Sequence, residues 1–232
     1  MTDHLDKVHG ILLVGFFVIT VVGLVDDRRS IPAFGRLIVE GSIAFLVAMI
    51  VFVTNQDRES VLIVSALEVD VPLWLAITLA WLGIVWLTNV FNFMDGSDGM
   101  VSGPSMVAAL FLSAWFYCVD DTMFFWLNLA VAGSCGGFLV LNWSPARVFL
   151  GDAGSLSLGY YFAVMALIGI VKHDLPIMAF VFLYGLFLAD TTVTLVRRMV
   201  AGKPWWQAHT EHFYQRAIRN GFSHRRVATV TI

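Results

Sequence analysis

The sequence predicts an all-α fold, a polytopic membrane helix bundle of about seven spans with a cut-off eighth. Three observations carry that reading. Hydrophobic residues make up 59% of the 232 positions and charged residues only 13%, with a mean hydropathy of +0.81, whereas a soluble domain carries about 25% charged residues. Apolar runs near the roughly 20 residues that a helix needs to cross a bilayer recur along the chain. The basic residues crowd into every second connection between those runs. The net charge of −3 says little, because the charges are segregated by side.

Seven runs qualify as spans: Val8–Val25, Leu37–Val53, Leu73–Phe91, Val101–Val119, Phe124–Leu141, Leu156–Val171 and Ile177–Val196. Val227 to Ile232 reads as the start of an eighth. Helices are the natural form for all of them, since backbone in lipid must satisfy its own hydrogen bonds. One alternating set of connections, 26–36, 92–100, 142–155 and 197–226, holds 11 of the 14 Lys and Arg residues. The other set holds only Lys7, Arg58 and Lys172, with solvated loop acids such as Asp57, Glu59, Asp120 and Asp174. The positive-inside rule places the first set in the cytoplasm. Between the second and third spans, residues 67–71 alternate strictly and suggest a short extended or re-entrant segment. Cys118 and Cys135 lie inside apolar runs and read as small buried hydrophobes, with no disulfide or metal spacing. Nothing at Met1–Gly10 resembles a signal peptide. The whole chain, 1–232, reads as a single integral-membrane domain.

Four polar segments stand at the ends of these runs, and all four fall on the side assigned to the cytoplasm. Ionisable groups beside hydrocarbon are costly, which makes each a candidate functional site. Asp26 and Asp27, followed by Arg28 and Arg29, open the first loop. They read either as an anchoring charge cluster or as carboxylates facing a metal or phosphate. Asn89, Asn92, Asp95 and Asp98 recur every third residue. Each helical step of three turns the side chain by about 300°, so neighbours share a face while the first and last do not. A helix ending near Gly96 or Gly99 gathers them, although Asp-Gly pairs are also ordinary turn chemistry. Their oxygens suit a hard cation such as Mg²⁺.

Phe149, Gly151, Asp152, Gly154 and Ser155 lead directly into the sixth span. Ser155 is placed to cap that helix, and a helix N-terminus attracts phosphate. Asp152 beside such an anion seat makes sense when a divalent cation bridges the two. His209, His212 and Arg216 stand at i, i+3 and i+7, one face of a helix, with Gln215 nearby. Lys203, Pro204, Trp205 and Trp206 before them read as an interfacial anchor. Two histidines without a third ligand argue against zinc and for hydrogen bonding to phosphate or sugar.

Taken in order, these segments resemble the polyprenyl-phosphate N-acetylhexosamine-1-phosphate transferases, the glycosyltransferase family 4 that includes phospho-MurNAc-pentapeptide translocase. The residues that carry the resemblance are Asp26 and Asp27 after Val25, the run from Asn89 through Asn92, Asp95 and Asp98 to Gly99, and the run from Phe149 through Asp152 to Gly159. Asp190, near the end of the seventh span, also fits, and the final His-x-x-His-x-x-Gln-Arg is similar to the O-antigen and aminosugar branch. The resemblance implies that the phosphate of a polyprenyl (undecaprenyl) phosphate attacks the β-phosphate of a UDP-sugar, releasing UMP and initiating cell-envelope polysaccharide or O-antigen synthesis. It implies Mg²⁺, with Mn²⁺ as its substitute, held by Asp152. It makes Asp26, Asp27, Asp95 and Asp98 catalytic. Asn89, Asn92, Phe149, His209, His212 and Arg216 become substrate-binding, Phe149 by stacking on uracil. The implied partners are a UDP-linked aminosugar, a polyprenyl phosphate lipid and the membrane, with no nucleic acid; a homodimer stays open. The implied place is the bacterial cytoplasmic (inner) membrane, with the site on its inner face.

Two departures from the family pattern make the sequence read as shortened at both ends: two spans before Asp26 and the remainder of the span after His212 are missing. An inactive, shortened relative serving as a partner is therefore one alternative. A cation-coupled transporter is another, but it calls for acids at mid-span and repeat symmetry. A CDP-alcohol phosphatidyltransferase calls for an Ala-Arg pair after Asp-Gly, which residues 100–104 do not provide.

Overall fold

A computed structural model describes residues 2–55, 61–64, 67–204, 207 and 209–232. Trp205 and Trp206 of the expected anchor, and the outer acids Asp57 and Glu59, lie outside them. The described chain runs α1 (Thr2–Arg28), α2 (Ala33–Thr54), β1 (Val61–Val64), β2 (Leu67–Asp70), α3 (Leu73–Met94), α4 (Ser102–Cys118), α5 (Thr122–Asn142), α6 (Gly151–His173), α7 (Ile177–Val200), α8 (Phe213–Arg219) and α9 (His224–Thr231). Six of these helices are long and apolar enough to cross a membrane, and α4 is a shorter apolar helix of 17 residues. The chain is a multi-pass membrane protein of the all-α class. Its small β element is an antiparallel hairpin pairing Val61 with Asp70 and Val64 with Leu67, in the segment where alternation predicted extended chain.

The helices overrun the apolar runs that predicted them. α1 continues through Asp26, Asp27 and Arg28; α3 continues to Met94; α6 begins at Gly151 rather than Leu156. Asp26 and Asp27 therefore do not open a loop: they sit in the last turn of a helix, and Asp152 sits in the first turn of another. The expected eighth span, residues 227–232, is the end of α9, an eight-residue helix capped by Ser223 through Arg226 N–H.

The chain divides into two compact units, 1–92 with 151–182, and 93–150 with 183–232. In the first, α6 is the core helix: 72% of its apolar window is buried, against at most 33% for the other spans. Glycines let its neighbours approach closely. A Cβ at Gly159 would meet the Thr88 backbone of α3 at 2.7 Å, and one at Gly23 would meet the backbone of Asp152 and Ala153 at 2.5–2.6 Å. Thr20 of α1 and Ser157 of α6 share a 2.7 Å hydrogen bond. Phe91 stacks on Phe162. These contacts seat the ends of α1 and α3 beside the start of α6.

In the second unit α4 and α5 form a hairpin. Its short turn ends in Asp121, whose carboxylate accepts Phe124 N–H and caps α5. Phe116 packs on Phe124, and Ser113 donates to Phe125 O across the pair. At the far end of α5, buried Asn142 ties two loops together. Its Oδ1 accepts Gly99 N–H and the Ser102 hydroxyl, while its Nδ2 donates to Val148 O.

Candidate active site

In the first unit the ends of α1 and α3 and the start of α6 bring Asp26, Asp27, Asn89, Asn92 and Asp152 together with two residues of α2. Gly151 starts α6 at φ +67°, in the left-handed region that glycine adopts freely. The first free N–H groups of α6, those of Asp152 and Ala153, donate to the two oxygens of Asp27 at 2.8 and 3.1 Å. The seat expected to draw phosphate is thus filled by a carboxylate from α1. Ser155 is not the cap: lying in the second turn of α6, it accepts a hydrogen bond from Asn92 Nδ2 at 3.1 Å.

Asn92 Nδ2 also donates to Asp152 Oδ1 at 2.7 Å. Asp26 Oδ1 accepts Ile31 N–H at 2.7 Å, closing the turn between α1 and α2. The second oxygens of Asp26 and Asp152 both accept from one atom, Arg36 Nη1, at 2.7 and 3.1 Å. One helical turn on, Glu40 stands with Oε1 3.4 Å from Arg36 Nε and with Oε2 accepting Asn89 Nδ2 at 2.6 Å. Glu40 is 2% exposed.

Sequence reasoning missed Glu40 and counted Arg36 only as a loop charge. The signal was present: an acid inside an apolar run, four residues after an arginine, is a pair that must be satisfied internally.

The second unit holds the other sequence-predicted residues. Asp98 Oδ2 accepts Ala146 N–H at 3.2 Å, which joins its loop to the one that carries Phe149. The Phe149 ring is 73% exposed. Asp95 lies near Tyr214, whose hydroxyl is pushed up in pKa by burial and further by the charges of Asp190 and Asp95.

His209 and His212 do not share a helix face, contrary to the periodicity. α8 starts only at Phe213, because Asp190 of α7 takes its first free N–H groups. Oδ1 accepts Phe213 N–H at 2.9 Å and Oδ2 accepts Tyr214 N–H at 3.1 Å. His212 Nδ1 stands 3.1 Å from the same Asp190 Oδ1. A carboxylate only accepts, so Nδ1 carries the proton there. His209 precedes the helix, its ring centroid 4.9 Å from that of His212.

Beside them lies a cavity of about 340 Å³ lined by Arg197, Arg198, Lys203, Arg216, Arg219 and one acid, Glu211. Glu211 bonds Lys203 and Arg198. Its carboxyl is held below the usual range, first by the Lys203 hydrogen bond. Burial, then the Arg198 charge, holds His209 below its ordinary value of 6.5. The cluster in the first unit is thus acid-rich with one arginine, and the cavity in the second is a cationic hollow with one acid.

A family model described as "Glycosyl transferase family 4" matches residues 9–170, more than half of the chain. The chain belongs to this family. A probable undecaprenyl-phosphate N-acetylglucosaminyl 1-phosphate transferase of Bacillus subtilis is 30% identical over 217 residues, covering 92% of this chain and 59% of the relative. A decaprenyl-phosphate N-acetylglucosaminephosphotransferase of Mycobacterium leprae is 29% identical over 242 residues, covering 93% and 59%. A phospho-N-acetylmuramoyl-pentapeptide-transferase of Oceanobacillus iheyensis is 27% identical over 231 residues, covering 94% and 68%. The chain therefore spans about three fifths of the length of the first two relatives. The matched stretch contains all the acid-rich residues of the first unit.

Among the described residues no three His, Cys, Asp or Glu side chains converge to hold a metal by themselves. Mg²⁺ is ordinarily bound by one or two carboxylates, with waters and phosphate oxygens completing the shell. Asp26 and Asp152, two like charges drawn together over one cation, are a donor set of that kind.

Proposed function

We propose that this family 4 chain carries the site of a glycosyl-1-phosphate transferase, which moves N-acetylhexosamine 1-phosphate from a UDP-sugar to polyprenyl phosphate at the cytoplasmic leaflet. The observation that carries the reading is the group of Asp26, Asp152, Asn92 and Arg36, bound to one another at the ends of two spanning helices, α1 and α3, and the starts of two others, α2 and α6. The names of the relatives support the reaction class. The bias of Lys and Arg supports the side.

In this mechanism an oxygen of the lipid phosphate bonds to the sugar-bearing phosphorus, and the bridge to the uridine-bearing phosphate breaks, so that UMP leaves. No strong base is needed, because a phosphate monoester has its second pKa near about 6 and is largely dianionic at neutral pH. Asp26 and Asp152 would hold Mg²⁺, which when bound neutralises the diphosphate and the leaving group. Asn92 holds Asp152 in one orientation, and Asn89 is held by Glu40. The resemblance assigns Asp95 and Asp98 to binding the nucleotide and diphosphate, and Phe149, whose ring is exposed, to stacking on uracil. Asp27 fixes the start of α6 and so the place of Asp152. The cationic hollow around Arg216, with His209 and His212 at its side, draws the anionic groups of the substrates.

The test is direct. Purified protein is incubated with UDP-N-acetylhexosamines and undecaprenyl phosphate, and UMP is measured. Asp152→Asn, which keeps the shape and removes the charge, is expected to lower kcat by about 10³-fold, the scale seen when preorganised charge stabilisation is lost. Undiminished UMP release by that variant would remove Asp152 from the metal role.

A further inference from the structure

Arg36 Nη1 bridges Asp26 and Asp152, the two carboxylates that would hold the cation. It reaches both carboxylates, at 2.7 and 3.1 Å. A guanidinium and a metal ion cannot occupy one point between two carboxylates, and two unneutralised carboxylates at the membrane edge cannot stay together. The exchange therefore needs a second seat for the guanidinium. Glu40 provides it. Its Oε1 is buried, makes no hydrogen bond and lies 3.4 Å from Arg36 Nε. Its other oxygen is tied to Asn89, which fixes the carboxylate in place.

We infer that Arg36 is a place-holding cation. It keeps Asp26 and Asp152 paired while the metal is absent, and it yields to a divalent cation by transferring its head group to Glu40. The inference rests on the metal assignment of the proposed function. It adds that metal binding competes with an internal side chain, which weakens the metal alone and ties firm loading to arrival of a substrate that brings its own phosphate oxygens.

The experiment is a titration of the purified full chain in detergent with Mn²⁺, read as loss of the free-ion electron paramagnetic resonance signal, with no turnover involved. Arg36→Gln is expected to bind Mn²⁺ about tenfold or more tightly than wild type, since a competing charge is gone. Glu40→Gln is expected to weaken binding, and the Glu40 effect is expected to vanish in the double variant. Equal or weaker binding by Arg36→Gln overturns the inference and leaves the metal assignment standing. If neither wild type nor Arg36→Gln binds Mn²⁺ saturably, the metal assignment falls and the inference falls with it.

Should Arg36→Gln fail to fold, a wild-type structure determined with Mn²⁺ decides the matter. A guanidinium released from Asp26 and Asp152 supports the exchange. A guanidinium still bonded to both beside the metal overturns it.

Discussion

The two units use one device twice, an aspartate on one helix capping the start of another, with opposite surroundings. In the first unit Asp27 of α1 caps α6 from an exposed position. In the second, Asp190 of α7 caps α8 while 8% exposed, and also holds the Thr194 hydroxyl and His212 Nδ1. A cap facing water can exchange its N–H partners for solvent, whereas a buried cap cannot. Asp27 is therefore a replaceable fixture of a reactive region, and Asp190 is the support on which a short helix depends.

The sharpest way to break this comparison is to remove both caps. Asp190→Ala leaves two N–H groups and His212 Nδ1 without an acceptor, at a cost of about 3 kcal/mol from the lost cap and the unsatisfied buried donors. Asp27→Ala, where water replaces the carboxylate, is expected to cost about 1 kcal/mol. Thermal unfolding in detergent measures both, and equal losses would end the distinction. Activity should invert the order of specificity. Asp27→Ala should depress kcat at a nearly unchanged melting temperature, because Asp152 shifts with the start of α6. Asp190→Ala should depress stability and activity together.

The two regions also differ in how far they could be read in advance. Asp26, Asp27, Asn92 and Asp152 are polar positions at the ends of long apolar runs, and such positions stand out against their neighbours. What did not show was that the helices continue through them. An apolar count stops at the first carboxylate, but Arg36 and Asn92 satisfy these carboxylates and the backbone goes on. Glu40 was hidden inside the run 37–53 read as a span, and its partner Asn89 lies 49 residues away. In the second unit the periodic spacing of His209, His212 and Arg216 suggested a helix. The helix start is set instead by Asp190, 23 residues before the first N–H it takes. Local spacing carries no trace of such a partner. The cationic hollow was legible only as a tally of loop charges.

A weaker effect sharpens the contrast of charge. Glu211 is the single acid among five cations in the hollow of the second unit. Glu211→Gln leaves Arg197, Arg198 and Lys203 without their carboxylate. Inhibition by inorganic sulfate is expected to strengthen by about threefold at low salt, with the difference disappearing near 1 M salt, where the screening length falls to about 3 Å. If sulfate inhibits both proteins equally at low salt, the hollow does not gather anions.

The smallest effect is in pH. Burial and the neighbouring Arg198 lower the pKa of His209 in the folded protein. The unfolded chain takes up the proton at the ordinary value of 6.5, before the folded one does. The neutral ring therefore contributes stability that is fully present above 6.5 and is lost as pH falls through the lowered folded value. His209→Gln keeps a polar side chain and removes the titration. Wild type should lose more melting temperature than the variant between pH 7 and pH 5, by about 1 °C, because one partly buried group is involved. If wild type and the variant lost melting temperature equally, His209 would not be held neutral by burial and by the charge of Arg198.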